Sequence, residues 1–315
     1  MDNLLLALNV VFPLMVMMVI GYILKKANYV DDHSLGVMNT LIFRVFMAIL
    51  LFLNIYTVEL NDTLSSDNTR LIILTAVCII VFVLVLSFIL PRFVKDKQKC
   101  SAMIHGMFRA NLLLFGIPIT SSIYGEGSIG FVSILSAVLV PIFNLTAVVL
   151  LEVYRGGKVS VRKVAVGIIT NPLIQAAVLA VIFLSFGWRL PDLILSPLSS
   201  VSKITTPLAF IILGASLKFS SLSKNFKYLV TVVSGKLIIF PGIVISIALL
   251  LGYRDQAIVA LLGAIASPSA VASFTMSKAM GSDGDLAGEI VVTTSIVSMF
   301  TLFLWVFALR SLHII

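Results

Sequence analysis

Chemically versatile side chains are scarce in this 315-residue chain, which has three histidines, two cysteines and 14 acidic residues. His33, His105 and His313 are too few and too scattered for a metal site, and Cys78 and Cys100 show no CxxC spacing, so free thiols and no bound metal are expected. There is no HExxH helix, no paired intramembrane aspartate, and no serine with a suitable histidine partner; His105, close to one end of its segment, is the only histidine inside an apolar run. These gaps argue against an intramembrane enzyme, and no cofactor is expected. The first apolar run begins at Leu4 behind Asp2, with no basic n-region and no small-residue cleavage site before Lys25, so it reads as a retained helix and not a signal peptide. No acidic residue sits mid-segment, which disfavours a carboxylate proton relay or sodium site.

What is abundant is apolar surface: 60% of residues are hydrophobic and the mean hydropathy is +1.14, more than a soluble domain can bury. The expected fold class is an all-α integral membrane protein, its principal partner the lipid bilayer. A net charge of +8 would suggest nucleic acid in a soluble protein, but here the cations sit in short loops beside apolar runs, so no nucleic-acid partner is expected. A spanning helix needs about 20 mainly apolar residues. By that criterion there are ten, roughly at 4–24, 35–56, 71–91, 101–121, 128–151, 161–186, 194–217, 226–251, 256–277 and 286–309.

Alternate loops differ in charge. Of 22 Lys and Arg, 14 lie in the loops after the odd-numbered segments, Lys158 and Lys218 among them, whereas the other side holds only Arg70, Arg189, Arg254 and Arg310. The positive-inside rule places the basic loops in the cytoplasm and both termini outside it, in a multi-pass protein of the cell membrane. Arg44, Arg109, Lys203 and Lys236 remain within the apolar segments.

An offset of 159 residues sets Phe12-Pro13-Leu14 against Asn171-Pro172-Leu173, Arg44 against Lys203, Ala48 against Pro207, Arg109 against Pro268 and Gly125 against Gly284. The offset divides the chain into halves 1–155 and 156–315, each of five helices; an odd number forces opposite orientations across the bilayer. Corresponding fourth and ninth helices are both interrupted, at Arg109-Ala110-Asn111 and at Ser267-Pro268-Ser269.

Such breaks imply a cavity, because unpaired backbone groups survive at mid-membrane only against protein or water. Each break exposes a half-helix N-terminus that favours an anion. Asn111, Ser267 and Ser269 offer adjustable hydrogen bonds, and Arg109 a carboxylate-matching fork. Arg44 and Lys203 either contact substrate or snorkel to the headgroups, and Lys236 either does the former or lines an aqueous crevice. Asn144 is either a cavity ligand or a donor to a neighbouring helix backbone. Pro13, Pro118, Pro141, Pro172 and Pro241 read as kinks or packing features; Glu289 as an interfacial residue near a helix start and Glu152 as a solvated helix end.

Phe12-Pro13-Leu14 with Gly21-Tyr22, Asn111 to Gly116-Ile117-Pro118 with Tyr124-Gly125, Asn171-Pro172-Leu173, Thr206-Pro207-Leu208 with Leu213-Gly214-Ala215-Ser216-Leu217, and Ser267-Pro268-Ser269 occur in one order. In this the chain resembles the auxin efflux carrier family, which includes plant PIN-formed carriers and bacterial malate or malonate permeases. The resemblance implies ten transmembrane helices in two inverted five-helix repeats, broken crossover helices 4 and 9, and a small organic anion, malate-, malonate- or auxin-like, carried by alternating access of elevator type. An anion channel is the alternative. Where plant members often have a proline before the asparagine of the first crossover, this chain has Ala110, so its first break is expected to be less unwound than its second. Lipid-facing apolar surface leaves oligomeric state, a homodimer included, open.

Overall fold

The computed structural model describes residues 2–57, 66–125, 129–155, 161–217 and 219–315; Lys158, Lys218 and the Glu126-Gly127 turn lie outside them. The described residues form helices and no strands. In chain order these are α1 (Asp2–Lys26), α2 (Asp32–Tyr56, with a π-helical turn at Ile42–Phe46), α3 (Ser66–Phe93), α4 (Lys97–Phe108), α5 (Leu112–Tyr124), α6 (Ile129–Tyr154), α7 (Val161–Ile169), α8 (Pro172–Ser185) and α9 (Asp192–Ser216). Then follow α10 (Phe219–Ser234, continuing through a π-helical turn at Gly235–Ile239 into Phe240–Leu250), α11 (Asp255–Ile265), α12 (Val271–Ala279) and α13 (Gly284–Ser311). Helix covers the expected apolar segments, interrupted within three of them, at 109–111, 170–171 and 266–270. Among the described residues, five helices are long and apolar enough to cross a membrane: α2, α3, α9, α10 and α13.

The prolines divide by what surrounds them. Pro13, Pro118 and Pro141 are carried inside α1, α5 and α6. Pro172, expected as a kink or packing feature within one continuous segment, starts α8: a proline at the first helical position loses no intrahelical bond, and Asn171 Oδ1 accepts from Leu173 N at 2.9 Å to cap the new helix. Pro241 removes the N–H that would bond the Leu237 carbonyl, four residues back; Trp305 Nε1 of α13 donates to that carbonyl at 2.9 Å.

The loops sort to two ends. On one, Asp283 N donates to Gln98 O (3.4 Å), Lys99 Nζ to Asn225 Oδ1 (3.4 Å) and Lys278 Nζ to Ser216 Oγ (3.3 Å), gathering basic loops. On the other, Leu190 N donates to Tyr56 Oη (2.8 Å) and Asp255 N to Ile314 O (3.0 Å). Glu289, near the start of α13 on the basic side as expected, is buried and accepts from Asn225 Nδ2 at 2.9 Å.

Burial is concentrated in the two interrupted segments: every residue from Ile258 to Val271 is buried, whereas α3 turns Phe88 and Leu84 outward. Two close approaches fix the frame. Gly116 and Gly263 bring α5 and α11 so near that a Cβ on Gly263 would lie 2.5 Å from Gly116 Cα. Where α1 crosses α9, a Cβ on Gly214 would lie 1.9 Å from Met18 O, and one on Gly21 1.9 Å from Ile211 O. Small residues at such contacts let backbones approach closely in a membrane. Gly214→Ala should therefore destabilise by about 3 kcal/mol, the top of the usual overpacking range. Gly36→Ala, where a Cβ meets nothing within 4 Å, should instead gain about 0.5–1 kcal/mol of helix propensity. Thermal melting in detergent distinguishes them; equal midpoints would show that α1 and α9 are not in backbone contact.

Candidate functional site

The α4–α5 break comprises Arg109, Ala110 and Asn111; the α11–α12 break runs from Ala266 to Ala270. Three non-helical residues against five agrees with the expectation from Ala110. The breaks meet. Asn111 N donates to Pro268 O at 3.0 Å, Ser269 Oγ donates to Gly106 O, and Ser269 N donates to Thr294 Oγ1 of α13 at 3.1 Å. Backbone groups that hydrocarbon would leave unpaired are thus satisfied by the other break and by α13. At the C-terminus of α11, the fully buried Lys236 donates from Nζ to Ile265 O at 3.1 Å, placing an ammonium on the negative end of that half-helix.

Beside the crossing lies a small cavity of about 70 Å³. Its polar lining is Arg109, Asn144, Asn54 of α2, Thr205 and Thr206 of α9, and Thr275 of α12; Val271 and Ala272 bring the N-terminus of α12 to its wall. Arg109 is 5% exposed, and its Nη2 donates to Asn144 Oδ1 at 2.9 Å. Asn144 Nδ2 donates in turn to Val140 O at 2.9 Å, which leaves the amide oxygen facing the guanidinium. Arg109 Nε and Nη1, and Thr275 Oγ1, are buried without a hydrogen-bond partner among the described residues. The first residues of α12 receive no side-chain cap. A cation with two idle donors, a helix N-terminus and hydroxyl groups, with no acidic residue in the lining, suit a carboxylate.

The remaining expected site residues are distributed elsewhere. Asn111 is half-buried at the start of α5 with Nδ2 unpartnered; Ser267 is fully buried with Oγ unpartnered; neither lines the cavity. Pro268 and Ser269 are committed to the bonds that join the breaks. Lys203 is exposed on α9, and Arg44 lines a separate cavity. Sequence reasoning passed over Asn54, Thr205 and Thr275, although a lone amide within Leu51-Phe52-Leu53-Asn54-Ile55 is a legible signal.

The sequence profile of the membrane transport protein family matches residues 6–306. The chain belongs to that family, which is auxin efflux carrier-like. An uncharacterized transporter of Methanocaldococcus jannaschii is 21% identical over 306 residues, covering 95% of this chain and 97% of the relative. An uncharacterized transporter of Methanothermobacter thermautotrophicus is 25% identical over 300 residues, covering 94% and 96%. Among solved structures, the fold is similar to that of the sodium proton antiporter MjNhaP1 from M. jannaschii at pH 8, with a TM-score of 0.62, 12% identity and 96% of each chain covered.

The two serines of the second break now separate. Ser269→Ala removes a bond across the crossing and should cost about 1–3 kcal/mol. Ser267→Ala removes a buried hydroxyl that has no partner and should leave stability unchanged or raised. Melting midpoints of the purified variants test this; an equal loss in both would break the assignment.

Proposed function

We propose that this membrane transport protein carries a small organic anion, its carboxylate held between Arg109, which Asn144 positions, and the N-terminus of α12. The observation that carries the reading is the buried guanidinium with Nε and Nη1 idle: leaving charged donors unpaired in the interior is costly unless a ligand completes them. At about 30 Å³ per water in the liquid, a cavity of about 70 Å³ takes about two waters. That admits a carboxylate group; a short dicarboxylate such as malonate requires a small opening of the site and an indole carboxylate a larger one.

Ten transmembrane segments in two inverted repeats give the carrier its mechanism. Two features support that architecture: exchanging the halves maps the α1–α9 packing onto α8–α2, and Thr205 Oγ1 donates to Phe46 O, its own counterpart at an offset of 159, at 3.3 Å. The cavity has one wall from the crossing bundle (Arg109, Asn144, α12) and one from α2 and α9. Sliding the first wall along the second, as an elevator, exposes the anion to each side in turn. In the cell membrane the basic loops would face the cytoplasm and both termini the outside.

In proteoliposomes, labelled malonate or malate uptake should saturate. Arg109→Gln should lower the ratio of maximal rate to half-saturation concentration by about 10–100-fold, the worth of charge-assisted hydrogen bonds, and Asn144→Ala by less. Saturating ligand at 100 times its Kd should stabilise the wild type by about 2.7 kcal/mol. Unchanged half-saturation in both variants would remove the site; a non-saturating, ohmic flux would make the protein a channel.

A further inference from the structure

A second, larger cavity of about 520 Å³ lies on the basic side of the first. It shares α2, α6 and α12 with it: Arg44 stands three residues before Met47, Glu152 eight after Asn144, and Ala279 four after Thr275. At about 1.5 Å of rise per residue these steps correspond to roughly 5–12 Å along the helices. The remaining wall is α7 and α8, through Gly167, Thr170, Asn171 and Gln175.

Two arginines line this cavity, in different states. Arg155 Nη1 donates to Glu152 Oε1 at 3.0 Å, and the Glu152 side chain is only 9% exposed, so this carboxylate is an enclosed counter-ion and not a solvated helix end. Its position depends on Gly167, where a Cβ would come within 2.6 Å of Glu152 Oε2. Arg44, by contrast, has no ion pair or hydrogen bond among the described residues, although it is exposed and sits in the π-helical turn of α2. The N-terminus of the 14-residue α8, begun by Pro172, faces the same space. The local charge is therefore positive: a neutralised pair, one unopposed guanidinium and one helix N-terminus.

We propose that this cavity is a second anion-binding site, an antechamber in which Arg44 captures the carboxylate on the basic side before it reaches Arg109. The inference rests on the transport reading above, and gives Arg44 a role that snorkelling would not. Arg44, although exposed, lines a cavity that also takes residues of α6, α7, α8 and α12, where snorkelling alone would give it no partner.

The test reads the cavity's charge without a substrate. In a Cys78→Ala/Cys100→Ala background, Gln175→Cys places a thiol in the lining. Its rates of reaction with an anionic (ethylsulfonate) and a cationic (ethyltrimethylammonium) methanethiosulfonate are then compared. Arg44→Gln should lower the anionic-to-cationic rate ratio by about fivefold, as Coulomb's law in water gives for a reversed probe charge roughly 8 Å from a guanidinium; Arg44→Lys should preserve it. In uptake assays Arg44→Gln should raise the half-saturation concentration for malonate supplied on the basic side by a similar factor, with less effect from the other side. An unchanged rate ratio in Arg44→Gln overturns the proposal, as does a lowered ratio with unchanged half-saturation. If no carboxylate is transported at all, the transport reading fails, while the thiol rates still decide whether Arg44 makes an anion site.

Discussion

The backbone bond from Asn111 to Pro268 is the contact on which the rest depends. A helix interrupted within hydrocarbon exposes donors and acceptors that no lipid can satisfy, so neither break is stable alone. Each completes the other, with Ser269 reaching Gly106 and Thr294. The consequences spread outward: the crossing must be shielded, so Ile258 to Val271 is wholly buried, and the half-helices must approach closely, so glycines stand where α5 meets α11. Beside the crossing lies the small cavity that Arg109 lines.

Charge follows the same geometry. Half-helix C-termini attract cations and N-termini anions. Lys236 occupies the end of α11 from within the chain, held there by the wide turn of α10 that precedes Pro241. The N-terminus of α12 is left with Val271 and Ala272 at the cavity wall and Arg109 across from them. The C-terminus of α11 is therefore met by a cation of the chain itself, whereas the N-terminus of α12 has no side-chain cap.

Much of this was legible in residues. The apolar segments and the two interruptions follow from composition and from where Pro, Gly, Asn and Arg fall; the shorter unwinding at Ala110 follows from the family resemblance. Arg109 and Asn144 were legible as polar groups within apolar runs, and they meet. Four things were not. Ser269 looks like a ligand because sequence cannot show that its hydroxyl is already committed to Gly106. The burial of Glu289 does not show because its partner, Asn225, is 64 positions away. Pro172 looks like a kink because a proline within a helix and one at its start differ only by the capping of Asn171. Thr205 and Thr275 were overlooked because a threonine can bond its own helix backbone, as Thr205 also does to Val201, and so carries no cost in an apolar run.

The repair of Pro241 by Trp305 has a spectroscopic consequence. The chain has two tryptophans. Trp188 is 53% exposed and stacks on Phe186 at the far end of α8, whereas the Trp305 indole is tied to the carbonyl of Leu237, the residue next to Lys236. With Trp188 replaced by phenylalanine, the emission of the remaining indole would monitor the joint between α10 and the crossing. The protein then contains its own fluorescent gauge of that joint, with no label introduced.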